Sequence, residues 1–185
     1  LDFQIESYDP INGELNVWVR IPQLTGGQDY YLDFQFGNSS IVSDNSSSNV
    51  WDSNYQGVWH LNDQFGDATI NGNNGIDRGS SASTGQLGPG RSFDGSNDWI
   101  EVPHSSSLNI TGNQITLQAW VKAPIPNDDD SPFLVKGPGM NQEQYMLGVD
   151  GTGSNSSGNP VTANVNSRVT TNTGHYRDDA AQIPD

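Results

Sequence analysis

Short runs of alternating apolar side chains recur along this chain, each closed by a turn rich in Gly, Pro or Asn, and none repeats with a helical period. Leu15, Val17, Val19 and Ile21 alternate with Asn16, Trp18 and Arg20, and Tyr30, Leu32, Phe34 and Phe36 alternate with Tyr31, Asp33 and Gln35. A strand sends successive side chains to opposite faces, so this pattern predicts sheets with one buried face. Asp9-Pro-Ile-Asn-Gly13 supplies a turn, because Pro fixes φ and Gly admits φ > 0. Together with a strand at the start of the chain, these segments predict a three-stranded meander within residues 1–37. Further strands are expected at 58–61, 91–95, 98–102, 115–122, 133–136 and 145–149, with weaker ones near 161–165 and 168–171. Many short strands without a helix predict an all-β protein, a sandwich or barrel.

Leu, Ile, Val and Phe total 39 of the 185 residues, a proportion that borders on disorder. Their clustering into alternating runs decides for a folded chain, except over 150–185, where Gly, Asn, Ser and Thr dominate. The formal charge of −15 repels phosphates and anionic headgroups, which excludes nucleic acid and anionic lipid as partners. Asp outnumbers Glu 18 to 4, a bias toward turns and toward calcium, or simply a solvated acidic surface. The absence of cysteine rules out a disulfide framework, a thiol nucleophile and a cysteine-ligated zinc. No stretch approaches the roughly 20 apolar residues of a membrane span, so no membrane insertion is expected in this segment.

Residues 38–56 are rich in Asn and Ser and read as a linker, interrupted by Trp51 and Tyr55, which are expected to pin it to a neighbouring domain. Asn38, Asn45, Asn109 and Asn155 fit the glycosylation sequon, a coincidence in so Asn- and Ser-rich a chain.

Four segments in order carry a family resemblance: Gly57-Val-Trp-His-Leu-Asn-Asp63, Asn71-Gly-Asn-Asn-Gly75, Gly90-Arg-Ser-Phe-Asp-Gly-Ser-Asn-Asp-Trp-Ile-Glu-Val102 and Ile115-Thr-Leu-Gln-Ala-Trp-Val-Lys122. This set resembles the laminin-G-like, concanavalin A-like jelly roll, an antiparallel β-sandwich. Leu1-Asp-Phe-Gln-Ile-Glu-Ser-Tyr-Asp-Pro10, Val17-Trp-Val-Arg-Ile-Pro22 and Val50-Trp-Asp-Ser-Asn-Tyr55 resemble the end of a domain of unknown function, number 2341. That domain often precedes such jelly rolls in microbial surface proteins. The resemblance implies a β-rich fragment plus linker at 1–56 and a jelly roll at 57–185. It also implies missing strands at both ends, so that the chain is a fragment of a longer protein. No signal peptide opens the chain, and a secreted or cell-surface location rests on the resemblance alone.

The same superfamily holds glucanases, whose acid and nucleophile are carboxylates about 5–5.5 Å apart on one strand face. Glu6, Glu14, Glu101 and Glu143 form no such cluster, and the consecutive Asp128, Asp129 and Asp130 cannot share a face, so no enzyme is expected. His60, His104 and His175 lie on separate segments without metal spacing, and His60 reads as a packed strand residue. Trp59, Trp99 and Trp120 read as core or strand packing residues, with sugar platforms the alternative. Asp94, Asn97 and Asp98 gather oxygen ligands around Gly95, as a structural calcium would require, or as an Asx turn would. The pentraxin-like calcium pair of the superfamily falls at Asn141 and Gln142, a departure from its Asp-Asn pattern.

The resulting expectation is a non-catalytic carbohydrate-binding or adhesion module that meets glycans or surface proteins. A structural spacer, or an accessory domain of a polysaccharide hydrolase, is the alternative.

Overall fold

The computed structural model describes residues 1–40, 46–62, 64–109, 111–122, 131–137, 144–150, 164–171 and 174–182. It divides into two compact units, Leu1–Leu108 and Asn109–Asp185. Every strand pairing among the described residues is antiparallel, and helical structure there is confined to two short 3-10 turns. The all-β antiparallel class is therefore the one the alternating pattern predicts. No helix among the described residues is long and apolar enough to cross a membrane.

In the first unit, β1 (Phe3–Asp9) and β2 (Glu14–Val19) form a hairpin. Its turn works as the sequence implies: Asp9 Oδ1 accepts from the Ile11 and Asn12 N–H groups at 2.8 and 3.2 Å, and Gly13 takes φ +69°. The register shifts between Ile5 and Ser7, leaving Glu6 as the unpaired residue of a bulge. Residues 46–47 cover the outer edge of β1, where Ile5 N–H donates to Ser46 Oγ and Ser47 N–H to the Phe3 carbonyl. A 3-10 turn, Ser48–Val50, follows, with Ser47 Oγ capping it through Asn49 N–H.

Two small ladders complete this unit. β3 (Ile76–Arg78) pairs with β6 (Trp99–Glu101) and encloses in sequence the hairpin of β4 (Ser81–Thr84) and β5 (Pro89–Ser92). The β4–β5 connection is fastened to the first hairpin, since Ser7 Oγ donates to the Leu87 carbonyl at 2.9 Å. Gly88 adopts φ +149°, and a Cβ there would stand 2.8 Å from that of Ser7, so only glycine allows this approach. The division expected at 56/57 thus lies inside the first unit.

The second unit contains a four-stranded sheet in the order β10 (Gly174–Gln182), β9 (Asn164–Thr171), β8 (Tyr145–Asp150), β7 (Ser131–Lys136). Among its described residues, Met146, 2% exposed, and Tyr145, both on β8, are buried apolar side chains. Burial raises the Tyr145 phenol above its usual range. Pro132, which has no N–H to give, sits in the edge strand β7, where a missing donor is tolerated.

Several expected strands are absent or displaced. Residues 30–36 make no ladder, so the three-stranded meander is a two-stranded hairpin. Tyr31 and Phe36 are each 86% exposed, and Phe34 and Phe36 stack on one another at 5.9 Å. Alternation marks a strand only where a partner edge meets it. Residues 58–61 and 115–122 are likewise irregular. Val58 instead donates its N–H to Asp67 and accepts from Ala68 N–H. The weak segments near 161–165 and 168–171 merge into β9, with 161–163 outside the described residues. β3, β4 and β10 have no apolar alternation to announce them and exist through their ladders.

Candidate functional site

The hairpin and the covering segment 46–55 build an aromatic groove. Trp18 projects from β2 opposite Gln4 in the register. Trp51 follows the 3-10 turn, its ring centroid 5.3 Å from that of Trp18 and 5.1 Å from that of Tyr55, both in tilted or edge-on geometry. Such pairs are favoured over face-to-face sandwiches by the ring quadrupoles. The open cavity they line, with Arg20, Val50 and Asp52, measures about 300 Å³. Trp18 is 36% exposed and Tyr55 about half exposed, so two aromatic surfaces remain available to a ligand.

Beneath the aromatics lies a polar network that fixes them. The bulge turns Glu6 inward beside Ser7, leaving its side chain 7% exposed. Glu6 Oε2 accepts from Trp18 Nε1 at 2.6 Å and pairs with His60 Nδ1. Trp51 Nε1 donates to Gln4 Oε1 at 2.6 Å, and His60 Nε2 lies 3.0 Å from the same oxygen. An indole N–H is only a donor, so Gln4 must present its oxygen there, and His60 Nε2 is thereby a donor as well. Burial pushes the Glu6 carboxyl up, but the bonds from His60 and Trp18 and the electrostatic pull of His60 outweigh it. Glu6 consequently sits below the ordinary range for its type.

At the groove edge, Arg20 Nη2 and Asp52 Oδ2 are 3.9 Å apart and both side chains are partly exposed. Each is held by another bond: Arg20 Nη1 donates to the Asn49 carbonyl at 3.1 Å, and Asp52 Oδ1 accepts from Asn54 N–H at 3.0 Å.

A second polar centre organises the loop containing Asn71-Gly-Asn-Asn-Gly75. Asp67 accepts from the N–H groups of Val58, Thr69 and Asn73 and from the Thr69 hydroxyl, all within 2.9–3.0 Å. The buried Asn73 continues the network, donating Nδ2 to the Gln56 carbonyl and to Ser107 Oγ. Trp59 is packed into this region, with Nε1 donating to the Asn73 carbonyl at 2.8 Å and its ring against Gly57. A third centre ties Arg91 to Ser80 and Asp77, with the guanidinium 5.0 Å from the Phe65 ring centroid.

The residues singled out in the sequence are spread over these features. Trp99 and Trp120 are exposed, Trp120 at 72% and outside any strand, and they belong to different units. Asp94, Asn97 and Asp98 share one tight turn, in which Asp94 Oδ1 accepts from Ser96 and Asn97 N–H and Asp98 Oδ2 from Asp94 N–H. Those main-chain bonds lower the Asp94 carboxyl. Calcium takes 6–8 oxygens. Among the described residues no group of three or more His, Cys, Asp or Glu is gathered so as to hold a metal ion. The turn is closed by these main-chain hydrogen bonds, the Asx-turn arrangement that its Asp and Asn content also allows. Asp128–Asp130, Asn141, Gln142 and Glu143 lie outside the described residues. His60 is packed as expected, though on a coil segment and against Glu6 rather than within a strand. Trp18, Glu6 and Gln4 carried no local signal of a shared site, because their partners come from a segment distant in sequence.

No curated protein and no solved structure matches this chain. Residues 1–75, the stretch that contains the whole groove and runs past the expected linker to the loop at Gly75, match the model of a family described as a domain of unknown function (DUF2341).

Proposed function

We propose that this chain is a non-catalytic carbohydrate-binding module of an exported microbial surface protein, with the Trp18–Trp51–Tyr55 groove as its glycan site. The observation that carries the reading is the groove itself. Exposed indole and phenol faces offer stacking area to the C–H faces of a sugar ring, and Arg20 and Asp52 at the edge offer hydrogen bonds to its hydroxyls. The network under the aromatics supports a preformed site, since both indole N–H groups are already bonded to Glu6 and Gln4. Preformed platforms lose little conformational entropy when a ligand arrives. The concanavalin A-like sandwich suggested by the motifs of 57–122 and the secreted or surface location remain part of this proposal. The four-stranded antiparallel sheet of the second unit is consistent with such a sandwich.

A glycan array probed with the whole chain tests the reading. Binding is expected, and Tyr55→Ala, which removes a platform that supports no bond of the network, should weaken it at least tenfold. A silent array with the folded chain would favour a structural spacer instead.

A further inference from the structure

We infer that the groove takes a neutral pyranose ring, holding a vicinal pair of hydroxyls between Arg20 and Asp52 and disfavouring uronate sugars; this rests on the carbohydrate reading above. The 3.9 Å between Arg20 Nη2 and Asp52 Oδ2 is too long for a direct hydrogen bond, so the pair leaves an N–H and a carboxylate oxygen unused toward each other. Both groups are nevertheless positioned, Arg20 by the Asn49 carbonyl and Asp52 by Asn54 N–H. A sugar hydroxyl both accepts and donates, whereas a guanidinium only donates and an ionised carboxylate only accepts. Two adjacent ring hydroxyls therefore answer Arg20 and Asp52 together, one accepting and the other donating, while the ring face lies against the aromatics. These are charge-assisted bonds, roughly twice as strong as neutral ones.

The same pair argues against an acidic sugar. Arg20 is already balanced by Asp52, so the groove edge offers no net positive charge, and Glu6 lies beneath Trp18. The chain as a whole carries −15, and like charges within a Debye length of about 8 Å raise the cost of bringing in a carboxylate.

Calorimetric titration of the whole chain with neutral hexasaccharides (gluco-, manno- and galacto-configured) and with uronate hexasaccharides, at equal ionic strength, tests this. Neutral sugars should bind and uronates should bind at least tenfold more weakly. Asp52→Asn keeps an oxygen for Asn54 N–H but removes the charge, and it should weaken neutral binding roughly tenfold, as should Arg20→Ala. Circular dichroism would confirm that the variants remain folded. Uronate binding equal to or tighter than neutral binding, still lost in Tyr55→Ala, overturns the neutral-sugar inference and leaves the carbohydrate reading standing. Neutral binding indifferent to Arg20 and Asp52 but lost in Tyr55→Ala overturns the hydroxyl grip in the same way. If no sugar of either series binds, both the inference and the carbohydrate reading fall.

Discussion

The Glu6 carboxylate accepts the Trp18 indole N–H at 2.6 Å across the first hairpin, although the strand register sets Trp18 opposite Gln4. The bulge at Glu6 makes this bond possible. It adds one residue to β1 and changes which side chains face inward, so that Glu6 and Ser7 both do so. One carboxylate then serves Trp18 and His60 together, and a surface-type residue becomes the support of an aromatic platform.

Replacing Glu6 by Gln keeps the shape but weakens two charge-assisted bonds. The variant should lose about 2 kcal/mol of unfolding free energy in urea titration. Trp fluorescence should change in the folded state, because the Trp18 indole loses an anionic acceptor. An unchanged spectrum and unchanged stability would mean that the bond contributes nothing.

The lowered Glu6 carboxyl has a definite pH consequence. A folded-state value below the unfolded one contributes stability that is fully present above the ordinary Glu value of about 4.3 and is lost as pH falls through the depressed value. Thermal melts from pH 6 downward should therefore show a steeper acid loss in the wild type than in Glu6→Gln. Parallel acid profiles for the two proteins would contradict the shift.

The close approach of Gly88 to Ser7 predicts a cost for a single methyl group. Gly88→Ala combines an unfavourable φ with a clash against the Ser7 side chain at Cβ and Oγ and should destabilise the first unit by about 2–3 kcal/mol. Ser7→Gly in the same background should recover part of the loss by removing the atoms that collide. Failure of that rescue would place the cost elsewhere.

Asp67 satisfies four donors at once, so its removal strands several of them in a part-buried site. Asp67→Ala should cost about 2–4 kcal/mol in denaturant titration. Asp67→Asn should cost less, since its oxygen still serves two donors while its amide faces the Asn73 N–H unfavourably. Equal stability of all three proteins would show that water replaces the carboxylate.

For the turn at Asp94, its hydrogen bonds predict that Asp94→Ala lowers the melting temperature by the same amount in chelator and in calcium, because main-chain N–H groups are its partners. A calcium-induced rise in melting temperature that disappears in both Asp94→Ala and Asp98→Ala would instead establish the cation site that the Asp-rich turn suggests.

Local chemistry made part of this protein legible without coordinates. Asp9-Pro-Ile-Asn-Gly13 encodes its own turn through Asp9 and the positive φ of Gly13, and the alternation of residues 15–19 encodes a strand. β6, β7 and β8 fall close to their expected positions for the same reason, and the antiparallel all-β class follows from them, whereas β5 (Pro89–Ser92) overlaps the expected 91–95 only at Arg91 and Ser92. Alternation failed at 30–36 and 115–122, because a strand is a statement about a partner edge as much as about its own side chains. The groove was illegible for a related reason. Gln4 meets His60 across 56 residues and Trp51 across 47, and no period in the sequence records which distant donor a buried acceptor will find. Only the tertiary structure decides this, by folding segment 46–60 over a bulged hairpin where Glu6 and Gln4 are the acceptors within reach of two indoles and an imidazole.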